Sequence, residues 1–333
     1  MPITGNSSYI PTVNEFYAHW GQCNTALTPQ NLTVRRPDNT TCTQMQFLTL
    51  RNTLQASQNQ VQGCLGVLQM SRGQIMLAKE DMLLKLNRFT ALLDGYYKNT
   101  DFYAARPYAP SLSDGQEAFT RPLVDAMLLW EKVNAGPAPG GVTLPLELGD
   151  GTTQGAFASA VSALQFLYAE ERNKAQELTL ARARRNRTQF TAYETMKAYR
   201  EAVPGKLVMD PELVETLPRL SPLPGHTPEP VNASAVFEAP NMSKVIFDGS
   251  TDPLTARYAL RGTIGDRYDD QDAVVVATRL PGEPREFITG FGLNQPGAEV
   301  AFKVYVVLAT GNEAGSAPMR VERPVGVELL AAA

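Results

Sequence analysis

The stretch "FLTLRNTLQASQNQVQGCLGVLQMSRGQIMLAKEDMLLKLNRFTALL", Phe47 to Leu93, decides how the first part of the chain folds. Phe47, Leu54, Val61, Leu68, Ile75, Met82 and Phe89 stand seven residues apart without a miss. A second row, offset by three or four, holds Leu50, Cys64, Leu65, Ala78, Leu86 and Leu93, with Ser57 and Ser71 interrupting it. An apolar row of period seven is the mark of a long helix that buries one stripe against other helices. At ~1.5 Å of rise per residue the stretch predicts a rod of roughly 70 Å. Gly63, Gly66 and Gly73 weaken its middle, each by about 1 kcal/mol relative to alanine, and mark a close crossing or a bend. Asp94-Gly95 reads as the stop.

Working outward, a shorter helix is expected from Asp114 to Asn134, with Phe119, Leu123, Met127 and Trp130 on one face. A second long helix is expected over 153–202. Phe157, Val161, Leu164, Tyr168, Ala175 and Leu178 fill its apolar row, Arg182, Arg185 and Gln189 take the same positions, and Ala192, Met196 and Tyr199 restore it. The expected body is therefore a bundle over 1–203. Its two long helices, about 43–94 and 153–202, pair antiparallel in a coiled-coil-like manner, and the 114–134 helix and a segment from Val13 to Trp20 fill it in.

After residue 203 the pattern changes. Residues 204–233 are proline-rich, densest in "PRLSPLPGHTPEPV" (Pro218 to Val231), and read as a semi-rigid linker. From about residue 234 to 326 the runs are strand-like: Lys244–Asp248, Ala256–Gly262, Ala273–Leu280, Arg285–Phe291, Val300–Thr310 and Met319–Pro324. Ala273–Leu280 reads as a fully buried strand. Short strands separated by turn signals predict a small β-sandwich, and residues 327–333 are left as a tail.

The segment "GLNQPGAEVAFKVYVVLATGNEAGSAP" (Gly292 to Pro318) resembles the end of a fibronectin type III domain. Leu293, Pro296 and Gly297 match that family's turn. Phe302, Val304 and Val306 match the inward face of the next strand, and Asn312, Gly315, Ser316 and Pro318 match the loop before the last one. Val300 stands where the family has a corner tyrosine, and Tyr258 or Leu260 takes the place of its early-strand tryptophan. The resemblance covers about 90 residues and implies a small sandwich that meets partners through its loops. The helical part resembles no family. The fold class is thus multi-domain α plus β, a long-helix antiparallel bundle followed by a fibronectin type III-like β-sandwich.

Composition narrows the function. The chain has 333 residues, 43% hydrophobic and 19% charged, with a net charge of -4, so it can bury a core and is not the basic surface a nucleic acid needs. The first residues have neither the basic nor the apolar region of a secretory signal, and no run reaches the ~18 apolar residues of a membrane helix. The expectation is a soluble protein made in the cytoplasm, with an assembly or surface role left open. Three cysteines and two histidines (His19, His226) fit no zinc spacing. Cys23 and Cys42 read as free thiols, with pairing under oxidising conditions as the alternative, and Cys64 as a small core residue. Without a signal, the six Asn-x-Ser/Thr triplets carry little weight.

Each candidate site has a plain structural reading beside the functional one. Gly311 to Gly315 lacks the Lys-Ser/Thr ending and following helix of a phosphate loop, so it reads as a hairpin loop. Arg261-Gly262-Thr263 reads as a strand end, not an adhesion tripeptide. Asp266, Asp269, Asp270 and Asp272 read as an acidic surface loop, with spacing unlike a calcium-binding hand. The basic run Arg172 to Arg187 reads as a helix face paired with Glu170, Glu171 and Glu177, with a subunit contact as the alternative. His19 reads as a packing or capping residue. No nucleophile elbow, dinucleotide fingerprint or zinc-protease motif occurs. No catalytic, metal or cofactor residue is assigned and no cofactor is expected. Asn312, Glu313, Arg182 and Arg185 remain as candidate partner contacts. The expected function is non-enzymatic: a helical rod or bundle that presents the β module to sister subunits or partner proteins, as in bacterial surface, filament or virion assemblies, and forms a homo-oligomer. A carbohydrate- or protein-binding module is the alternative; a membrane-active helical toxin or an enzyme ranks below both.

Overall fold

Residues 2–324 are described by the computed structural model, so the tail expected over 327–333 lies outside the described residues. The helices are α1 (Tyr9–Ala26), α2 (Gln44–Tyr96), α3 (Asp101–Ala104), α4 (Gln116–Ala135), α5 (Gln154–Lys206) and α6 (Pro211–Glu215), preceded by a 3-10 turn at Asn6–Ser8. The strands are β1 (Val34–Arg35), β2 (Thr41–Cys42), β3 (Ala233–Glu238), β4 (Met242–Phe247), β5 (Thr255–Ile264), β6 (Val274–Arg279), β7 (Glu286–Thr289), β8 (Glu299–Leu308), β9 (Glu313–Gly315) and β10 (Met319–Glu322). No described helix is long and apolar enough to cross a membrane.

α2 starts on a reciprocal cap. The Gln46 amide donates to Thr43 Oγ1 (3.3 Å), and the Thr43 amide donates back to Gln46 Oε1 (2.8 Å). α5 starts on Thr153, whose hydroxyl accepts from the Ala156 amide. All seven residues of the period-seven row in α2 are buried. The second row is less uniform: Leu86 and Leu93 are buried, whereas Cys64 is only half-buried. Cys23 and Cys42 are buried free thiols.

Two compact units divide the chain, one made of the residues up to 69 with those from 177 onward, the other of 70–176. In the 70–176 unit the second half of α2, α4 and the first half of α5 share one core, in which Phe89 stacks on Trp130 at 4.8 Å between ring centroids. In the other unit the start of α2 (Phe47, Leu54) shares a core with α1 (Val13, Phe16, Trp20) and the end of α5 (Ala192, Met196, Tyr199, Val203). Within each unit α2 and α5 therefore run in opposite directions.

The proline-rich stretch packs closely. Leu207, Leu213, Val214, Leu217 and Leu220 join the core of α1 and α5, the Ile3 amide donates to Leu220 O, and the Leu223 amide donates to Thr310 O in the β region.

The C-terminal β region has two antiparallel sheets. One runs β3-β4-β7; the other runs β10-β8-β5-β6, with β9 also paired to β8. Val245, Phe247 and Phe287 from the first sheet and Leu260, Phe302, Val304 and Val306 from the second fill a common core. Val300 lies in that core, and the Tyr258 hydroxyl accepts from the Ser250 amide (2.8 Å). Two strand expectations need correction. Val274–Arg279 is not buried on both faces; it is the edge strand of its sheet, with Val275 exposed. A run of β-branched residues shows strand preference without showing how many neighbours the strand has. Also, residues 313–315 are not loop. They pair with Val307 to Tyr305, and the turn shrinks to Leu308–Asn312, closed by the Gly311 amide on Leu308 O and the Leu308 amide on Asn312 O.

Candidate functional site

In the unit made of the residues up to 69 with those from 177 onward, the loop before β6 meets α5, α2 and the N-terminal 3-10 turn. Asp272 is at the centre. Its carboxylate accepts from Arg185 Nη1 (2.9 Å) and from Arg182 Nε (2.9 Å) and Nη2. Arg185 Nη1 also donates to Gln271 O (2.8 Å), and its Nε donates to Asn186 Oδ1. The Arg185 and Asp272 side chains are buried, whereas Arg182 is partly open to water. Burying ions is costly unless each is paired and its remaining valences are filled, and here both conditions hold. The acidic surface loop expected at Asp266–Asp272 is thus corrected at its last member, and Arg182 and Arg185 find their acid on the β region, not among the glutamates of their own helix. The signal was present in the register: two arginines in an apolar row need a counter-charge from another element.

A set of glutamines on α2, which the sequence reading passed over, completes the joint. Gln62 Nε2 donates to Asp272 O (2.8 Å), Gln69 Nε2 donates to Glu299 O (2.9 Å), and Gln58 Nε2 donates to Asn6 O (3.2 Å). Asn6 Nδ2 in turn donates to Gln271 O (2.6 Å). Gln55, Gln62 and Gln69 follow the same seven-residue spacing as the buried row, next to Leu54, Val61 and Leu68. That polar row beside the seam was the available clue. Beside the joint lies a cleft of about 400 Å³, lined in part by Asn6, Gln55, Gln58 and Gln62 and by Ile10, Pro11, Val275 and Phe291. Gln62 Oε1 is buried behind its wall with no hydrogen-bond partner.

The other two candidate contacts are also engaged within the chain. Glu313 takes a bidentate pair from Arg261 (2.8 and 2.6 Å), with both side chains buried, and the Arg261 guanidinium lies 4.0 Å from the Tyr305 ring centroid. Burial and the Asp270 carboxylate, which accepts from its hydroxyl, push Tyr305 up to about 12. Asn312 Nδ2 donates to Leu223 O (3.0 Å) and Thr310 Oγ1. The structure brings Arg182 and Arg185 together at Asp272 and places Asn312 and Glu313 in separate contacts.

Two further groupings bear on chemistry. His19 Nδ1 lies 2.7 Å from the Tyr199 hydroxyl and 3.5 Å from Cys23 Sγ, and Nε2 lies 2.8 Å from Leu213 O. A cysteine beside a histidine has the composition of a nucleophilic pair. Here burial pushes the thiol up and the imidazole down, so both rest neutral in a sealed core. The group pins α1, α5 and α6 together. The second is an open cleft of about 580 Å³, lined in part by His226, Asp248, Ser250 and Asp252. His226 pairs with Asp252, and this contact and the Leu254 amide hold the Asp252 carboxyl below the usual range. Among the described residues no group of three or more His, Cys, Asp or Glu side chains could hold a metal ion.

No protein-family model matches the chain, and no curated protein matches it. Among solved structures it is similar to an Fn3-like protein from Clostridium thermocellum, at 17% identity over 30% of this chain and 96% of that one, with a TM-score of 0.24. A myokine structure is similar at 16% identity over 30% of this chain and 99% of that chain, with a TM-score of 0.25. Pectate lyase PelI from Erwinia chrysanthemi matches at 15% identity over 28% of this chain and 27% of that one, with a TM-score of 0.23. Likenesses at these scores carry no argument about fold or chemistry.

Proposed function

We propose that this is a non-enzymatic structural or interaction protein, in which a helical body holds a fibronectin type III-like β-sandwich for contacts with sister subunits or partner proteins. Two antiparallel sheets around one core form the sandwich architecture shared by that family. Phe302, Val304 and Val306 face that core, as the resemblance implied. The observation that carries the reading is where the buried charge goes. Arg185–Asp272 and Arg261–Glu313, ion pairs with both side chains buried, each join segments far apart in the chain, and the first also borders the 400 Å³ cleft. Buried ionic groups used this way fix one element against another. The seat of the β region on α2 and α5 is therefore a built joint, suited to presenting the module in one orientation. Its three-stranded sheet has Val236, Ile246 and Ile288 exposed on one face around the Lys244–Glu286 ion pair, a mixed surface suited to contact.

Light scattering with negative-stain microscopy across a range of protein concentrations tests the proposal. Defined oligomers or polymers are expected, and Ile246→Lys should disperse them. A protein that stays monomeric at every concentration, with Ile246→Lys indistinguishable from the parent, overturns it.

A further inference from the structure

The cleft beside the Asp272 joint has the chemistry of a site for a small neutral hydroxylated ligand, and we propose that it binds an uncharged saccharide of one or two rings. The proposal goes beyond the oligomeric reading and does not depend on it. Size comes first. At about 400 Å³ the cleft lies at the lower end of the roughly 300–1,000 Å³ of small-molecule sites.

The wall chemistry is more selective. Six amide side chains (Asn6, Gln55, Gln58, Asn59, Gln62 and Gln271) line the cleft along with Ser7. Each amide offers a donor and an acceptor in one plane, and a sugar hydroxyl is both donor and acceptor. Their inward bonds leave acceptors over. Gln58 and Asn6 each donate to a backbone carbonyl, and Gln55 Nε2 donates to Asn59 Oδ1 (3.1 Å). The Gln58, Asn6 and Gln55 carbonyl oxygens and the Asn59 amide nitrogen thus keep capacity for a ligand. The lining also includes Ile10, Val275 and Phe291, apolar surface for the C–H face of a sugar ring. The Phe291 ring is held in place: it packs at 6.2 Å from the Phe302 ring, and a Cβ on Gly262 would come within 2.9 Å of it.

Other ligand classes fit less well. An anion would need a free cation, and the lining's arginine, Arg185, is committed to Asp272, Gln271 O and Asn186. An extended peptide would add to the open edge of β6, but the Asn6–Ser8 turn packs against that strand. A wholly apolar ligand would strand the amides without partners.

The test uses the full chain with cellobiose, maltose and N,N′-diacetylchitobiose as probes, and glycerol and trialanine as controls, read by saturation-transfer NMR and titration calorimetry. At least one disaccharide should bind, and the controls should not. Gln55→Leu and Asn59→Leu should each weaken binding roughly tenfold, the equivalent of one to two hydrogen bonds. Both should melt like the parent, because these two side chains bond each other and not the joint. The proposal is overturned if none of the three disaccharides binds, if trialanine binds instead, or if both variants bind sugar like the parent.

Discussion

Asp272→Ala isolates what the joint contributes. The substitution removes one carboxylate from two arginines of different exposure. Arg182 is 35% exposed, so its charge returns to water and its share is that of a surface pair, about 0–1 kcal/mol. Arg185 is 3% exposed against an Asp272 side chain 1% exposed, and it is left as a buried cation without a counter-charge. Breaking such a pair costs about 3–5 kcal/mol. Arg185 keeps Gln271 O and Asn186 Oδ1 as acceptors, which places the loss at the lower end, about 3 kcal/mol. At ~2–4 °C per kcal/mol for a body of this size, melting should fall by roughly 6–12 °C. Calorimetry gives the shift, and hydrogen exchange should show the amides of residues 269–275 losing protection first. Arg185→Met closes a double-mutant cycle: once the cation is gone, Asp272→Ala should cost much less. A single mutant within about 1 °C of the parent, or strictly additive losses, would refute the claim that this pair holds the β region in its seat.

Three further outcomes follow from other parts of the molecule. Ile75→Asp places an unpaired carboxylate in the core of the 70–176 unit; the cooperative melt of the helical part should be lost, a cost above about 4 kcal/mol, and a parent-like melt by circular dichroism would show that the period-seven row is not what holds the helices. His19 has its pKa lowered by burial, so the unfolded chain takes up a proton first; stability is fully present above the unfolded value near 6.5, falls as the pH drops below it, and should fall less in His19→Gln when the two are melted from pH 7 to 5. Gly262→Ala puts a Cβ within 2.9–3.0 Å of ring atoms of Phe291 and Phe302, which should cost about 1–3 kcal/mol by urea unfolding and weaken any sugar binding through Phe291.

Much of this architecture was legible because helices and strands repeat. Period seven in α2 states which side of the helix is buried, whatever it is buried against, and the apolar run of β8 fits a central strand buried on both faces. The cap at Thr43–Gln46 could be read from spacing alone. The short pairing at Glu313–Gly315 could not, since three residues show no period. Nor could the edge position of Val274–Arg279, because valine favours strands with one neighbour as well as two. The joint was half legible. Arg182 and Arg185 in an apolar row announced a buried charge, but an arginine does not say which of several acids will meet it.

The sequence by itself determined the elements: two long amphipathic helices, their buried stripes, and a run of short strands after residue 233. These follow from local periodicity and turn chemistry, which act between residues close in the chain. The tertiary structure alone decided that Asp272 leaves its acidic loop to neutralise Arg185. It also decided that Gln62 and Gln69 reach backbone carbonyls 210 and 230 residues away, and that Asn6, Gln55, Gln58, Asn59 and Gln271 border one cleft. A hydrogen bond is satisfied by any correctly placed donor or acceptor, and a backbone carbonyl has no side-chain identity to read. Its partner is fixed only when distant segments come to the same place.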